Sequence, residues 1–117
     1  MADKTFRAGP VALTTTLTTN IYNGGNGGAY SGIADIITHI HVANKTASAA
    51  TFSLWLGATG ANAAGTEIAV GESVNANDVY DIYFPQGLRM TTADFLVGGS
   101  NTATALSITV TGKQLVI

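Results

Sequence analysis

Two histidines one residue apart, His39 and His41, are the side chains best placed by type and spacing to do chemistry in this chain. Side chains alternate between the faces of a strand, so residues i and i+2 share a face, and such a pair can supply two of the three or four ligands of a transition-metal site. The same two rings also suit a protein interface, packed near an aromatic. Trp55, the only tryptophan, is the aromatic that the local pattern brings near them. Asp78 and Asp81 form a second pair, but three residues apart on a strand they face opposite ways, so they read as solvated carboxylates rather than an acid/base couple. The stretch 23–32, NGGNGGAYSG, has the glycine content of a phosphate cradle without its Lys-Ser/Thr or a following helix, and reads as a surface loop. Tyr22 and Tyr30 bracket this loop, in position to anchor its ends. There is no cysteine and no G-x-S-x-G, so neither usual nucleophile setting is present.

The His-x-His pair invites a position-by-position comparison with the cupins, which use such a pair on a small β-barrel. Cupins carry a glycine upstream, met here by Gly32, and a glutamate four or five residues beyond the pair, where this chain has Lys45 and Thr46. Their second motif, Pro-x-Gly and then a histidine, is matched by Pro85-Gln86-Gly87 but has Met90 in the histidine's place. Two of the four ligands are missing. The expectation is therefore no metal and no cofactor, with the histidines as surface or interface residues.

The element that must position them is 33–57, IADIITHIHVANKTASAATFSLWLG. Its flanks are rich in β-formers and its middle is small and polar, which predicts a β-hairpin. Alternation sets Ile36, Thr38, Ile40 and Val42 on one face and Ile37, His39 and His41 on the other. On the returning strand Phe52, Leu54 and Leu56 are buried, and Thr51, Ser53 and Trp55 face out. A loop centred near Thr46 and Ala47 places Ile40 opposite Leu54 and His39 opposite Trp55.

Before this element, residues 1–10 end in Gly9-Pro10 and read as an N-terminal arm, and Val11 to Tyr22 holds two short strand segments with Val11, Leu13 and Leu17 inward. After it, Thr66 to Val70 is a strand, Gly71-Glu72 a turn, and Ser73 to Phe84 a strand with Tyr80, Ile82 and Phe84 on one face and Val79, Asp81 and Tyr83 on the other. Pro85-Gln86-Gly87 stops it. Leu88 to Met90 and Phe95 to Val97 are brief strands, and Gly98 to Thr102 is a turn. In Ala105 to Thr111, Leu106, Ile108 and Val110 point inward. Gly112 and Lys113 break that strand, and Gln114 to Ile117 forms a last one. No stretch keeps a helical period. The chain is thus expected to be all-β with essentially no helix, a single antiparallel β-sandwich of about eight short strands over 11–117, jelly-roll-like.

At 117 residues the chain has the size of one domain. Charged residues are 10%, against about 25% in an ordinary soluble domain, and apolar residues are 46%. So few charges imply a neutral surface of Thr, Asn, Ser, Ala and Gly, suited to contact with other protein. A formal charge of −2, with Lys4, Arg7, Lys45, Arg89 and Lys113 scattered, argues against nucleic acid as a partner. No apolar run is long enough for a membrane-spanning helix. MADKTFRAGP lacks the apolar core of a secretion signal, so the sequon Asn44-Lys45-Thr46 is set aside.

Taken together, HIHVANKTASAATFSLWLG, AVGESVNANDVYDIYFPQGLRMTTADFLVGGS and TALSITVTGKQLV resemble a group of small β-sandwich structural proteins of tailed-bacteriophage virions. The likeness covers residues 33 to 116 and lies in the order of strands and turns. It implies a non-enzymatic virion component: a capsid decoration or cement protein on the capsid surface, bound to the major capsid protein and to itself as a homo-oligomer such as a trimer. Tail, head-to-tail adaptor or fibre roles belong to the same group. The interface candidates are His39, His41, Trp55, Tyr22, Tyr30 and Tyr83. A different class of function is a carbohydrate-binding sandwich with Trp55, Tyr80 and Tyr83 as stacking platforms.

Overall fold

Short runs of β-branched and aromatic residues, punctuated by glycine, asparagine and proline, offer the backbone strands and nothing longer. The computed structural model describes residues 4–23, 34–57, 65–90 and 94–115, and no helix occurs among them. The strands are β1 (Lys4–Ala12), β2 (Thr19–Asn23), β3 (Ala34–Asn44), β4 (Ala50–Gly57), β5 (Glu67–Val74), β6 (Val79–Met90), β7 (Phe95–Ser100) and β8 (Leu106–Leu115). They form two antiparallel sheets, ordered β1-β8-β3-β6 and β2-β7-β4-β5. Among the described strands, only β4 and β5 are both consecutive and paired; in every other consecutive pair the two strands lie in opposite sheets. This strand order is a jelly-roll winding, within the sandwich class that the density of turns predicts.

Between the sheets, Ile37, Ile40 and Val42 of β3 and Leu106, Ile108 and Val110 of β8 pack in one apolar cluster with Phe52, Leu54, Val74 and Leu96. Leu13 joins this core as expected, whereas Leu17, expected inward, is exposed. Tyr80 of β6 closes one side of the sandwich. Its ring meets Phe52 edge-on at 5.6 Å, and its hydroxyl donates to Glu72 Oε2 at 3.1 Å. That hydrogen bond, with the carboxylate's charge, raises the Tyr80 pKa.

Three departures from the expected layout matter for what lies on the surface. The N-terminal arm is a strand: β1 pairs with β8 from Lys4↔Gln114 to Ala12↔Ser107, and Gly9-Pro10 sits in a register shift between Ala8 and Val11 instead of ending the pairing. The central hairpin does not exist. β3 and β4 lie in different sheets, because the segment between them crosses the sandwich. Asn44, buried, organises that crossing: its Nδ2 donates to Ser48 O at 2.8 Å and Val74 O at 3.1 Å, and its Oδ1 accepts from Thr46 N at 2.9 Å. A loop so tied is a corner, not a hairpin turn. Its neighbour is the 75–78 turn, joined to it by Asn77 N donating to Thr46 O at 3.0 Å.

The third departure is a β-bulge at Thr38. Ile37 pairs with Gly112 and His39 with Thr111, so Thr38 is one residue too many against β8. Inward positions are therefore Asp35 and Ile37 before the bulge and Ile40, Val42 and Asn44 after it; Ile36 does not share the face of Ile40. On the other side of β3 the ladder jumps from Tyr83 to Leu88, so Phe84 to Gly87 interrupts pairing within β6 as Pro85 and Gly87 suggest, although the strand resumes. Gly112 and Gly98, expected as breaks, lie inside β8 and β7. Gly71 lies within β5, and the turn comes later, at 75–78, where Asn77 takes a φ of 53°.

Candidate functional site

The outer face of the first sheet is built by β3 and β6 side by side. In that register His41 lies directly across from Asp81 and His39 across from Tyr83. His39 Nε2 and His41 Nδ1 both donate to one oxygen of Asp81, Oδ1, at 2.8 Å and 2.6 Å. The bonds from His41 and then His39 hold the Asp81 carboxyl below its ordinary range, so it is ionised at neutral pH and acts as acceptor. The His39 ring is stacked on Tyr83, centroids 4.6 Å apart and planes 12° from parallel. Tyr83 is 68% exposed and Val79, two residues before Asp81, is 48% exposed. Polar and apolar groups thus share one face of the sheet: two imidazoles on a carboxylate, flanked by an open aromatic ring and a valine.

The Thr38 bulge turns Ile37 inward while both histidines, alternating with Ile40 and Val42, stay outward. Its hydroxyl donates to Thr111 O at 3.3 Å, and Thr111 Oγ1 donates back to His39 O at 3.4 Å. On β6, Val79, Asp81 and Tyr83 are outward because Tyr80, Ile82 and Phe84 pack toward the core.

Of the expected interface residues, His39, His41 and Tyr83 are brought together here, and the others are not. Trp55 stands in the other sheet, far from the position opposite His39 that a hairpin implies. It faces away from the central core, as alternation requires, but only 7% of it is exposed, and Val97 across from it is buried too. Tyr22 is likewise 7% exposed. Its ring stacks on Phe6 at 4.9 Å, its hydroxyl donates to Asp35 Oδ2 at 2.7 Å, and Gln114 Nε2 donates to that hydroxyl at 3.3 Å. Tyr22 therefore anchors a buried polar network between the sheets and is not a contact residue. Burial first, then the hydrogen bond to Asp35, pushes its phenol well above the usual tyrosine range. Tyr30, with the rest of residues 24–32 of the glycine-rich stretch, lies outside the described residues.

Asp81 is the member that reading along the chain misses. Its outward position follows from strand alternation, but its place between the histidines depends on β6 pairing with β3, which no local signal carries. No family model, curated protein or solved structure matches this chain.

Proposed function

We propose that this chain is a non-enzymatic structural subunit of a bacteriophage virion, a decoration or cement protein that binds the major capsid protein and neighbouring copies of itself. The observation that carries the reading is the union of a jelly-roll sandwich, whose interior is filled by its own apolar side chains, with a charge-poor exterior that leaves Tyr83, Val79 and Val70 open. The sequence likeness to small virion sandwiches in strand order and turn chemistry supports the same reading. Jelly rolls serve capsid and lectin domains alike, so fold alone does not choose between them. The surface favours the first. Of the three rings a carbohydrate platform needs, Trp55 is buried and Tyr80 is packed against Phe52, leaving only Tyr83.

Mixing the purified chain with capsid shells that lack it, followed by sedimentation, tests the reading. The wild type is expected to travel with the shells and the exposed-site variant Val79→Glu/Tyr83→Glu to stay in the supernatant. Failure of the wild type to bind any shell, together with a monomeric state in solution, contradicts it.

A further inference from the structure

The geometry points to a binding site for one divalent transition-metal ion formed by His39, His41 and Asp81 on the outer face of the first sheet. It does not rest on the virion reading. One ring nitrogen of His39, one of His41 and a carboxylate oxygen of Asp81 lie within 4.8 Å of one another. Both ring nitrogens aim at the same oxygen, so they converge on a point in front of the sheet rather than diverging into solvent. Three ligands each about 2.0–2.2 Å from an ion stand about 3.3 Å apart. Seating the ion therefore needs the carboxylate to withdraw from the rings by about half an ångström and the two ring nitrogens, within 4.8 Å of each other, to close by up to about 1.5 Å through rotation of the exposed side chains. Each imidazole then presents a lone pair to the ion, its proton carried on the ring's other nitrogen. The carboxylate supplies the negative charge.

The surroundings fit this role. β3 lies between β8 and β6, so the two histidines project from a strand paired on both sides and are held at a defined separation. Tyr83, stacked on His39 at 4.6 Å, limits how that ring can turn. Two imidazoles and one carboxylate select zinc, cobalt or nickel over calcium and magnesium, which prefer oxygen ligands. The remaining coordination positions face outward, toward water or a docked neighbour. This is the same pair of histidines that suggested a cupin comparison, but the third ligand is an aspartate on the adjacent strand, and the site lies outside the sandwich.

The test uses the full chain without a polyhistidine tag. Competition with a chromophoric chelator is expected to show one Zn²⁺ bound per chain, undisturbed by Ca²⁺ or Mg²⁺. Asp81→Asn and His41→Ala are each expected to weaken it by at least about 100-fold, and Tyr83→Ala by about tenfold. Circular dichroism checks that each variant folds; Asp81→Asn keeps the shape of the side chain if His41→Ala does not fold. His39 and His41 are the only histidines, so their ring resonances are expected to shift on zinc addition. Absence of zinc binding to the wild type, or zinc binding that survives both Asp81→Asn and His41→Ala with unmoved histidine resonances, overturns the proposal.

Discussion

Tyr22 shows how a single buried polar residue can link stability to pH. Its hydroxyl donates to Asp35, itself 1% exposed, and Gln114 donates to the hydroxyl in turn. Removing the phenolic oxygen takes a donor from a buried carboxylate, so Tyr22→Phe is expected to lower the unfolding free energy by about 1–3 kcal/mol in denaturant titrations at neutral pH. The pH dependence has a definite sign. Because burial and Asp35 raise the folded-state pKa above the ordinary tyrosine value of about 10, the unfolded chain gives up this proton first as pH rises. The stability that Tyr22 contributes is complete below about pH 10 and is lost progressively above it. Denaturation midpoints of the wild type are expected to fall above that pH, and those of Tyr22→Phe to fall less steeply. Equal slopes would remove Tyr22 from the account of alkaline stability.

Individual strands are held by close backbone approaches at positions only glycine can fill. A Cβ built on Gly112 meets Ile36 O at 2.0 Å and Phe6 Cε1 at 2.8 Å, so β8 can run between β1 and β3 only without a side chain there. Gly112→Ala is expected to cost about 3 kcal/mol or more, since the obstacle is backbone on a central strand. Gly71, in contrast, has a φ of 59° and open space around its missing Cβ. Gly71→Ala is expected to cost only the left-handed backbone penalty, about 1–2 kcal/mol. Thermal melts of the two variants check the ordering.

The same glycines show how far strands are legible in the chain. Alternation places Leu106, Ile108 and Val110 inward and Val79, Asp81 and Tyr83 outward, and the structure agrees. Glycines inside β7 and β8 read as breaks, because a close approach and a turn leave the same residue in the sequence. The Thr38 bulge is invisible locally, yet it decides which residues of β3 share a face: Ile37 goes inward with Ile40, and the two histidines go out.

At the scale of the molecule, the number of strands and their sandwich arrangement follow from turn spacing, but pairing does not. β3 and β4 look like a hairpin from Ile33 to Gly57, and only the buried Asn44 that ties the crossing loop reveals otherwise. Once β3 is given to the other sheet, Trp55 leaves the histidines and Asp81 joins them. The winding also leaves β6 and β5 at the ends of their sheets. Pro85 on β6 and Glu67 and Glu72 on β5 discourage unspecific pairing along those edges, while Tyr83 and Val79 stay open for a defined contact. Under the proposed virion role, that open face is the surface that meets a neighbouring subunit.

The proposed virion role is tested most directly by quantitative mass spectrometry of phage particles purified from the cells in which this chain is made. A decoration or cement subunit is expected at a copy number comparable to that of the major capsid protein. Particles that lack the chain altogether would contradict a structural role in the virion, and a few copies per particle would move it from the shell to the tail.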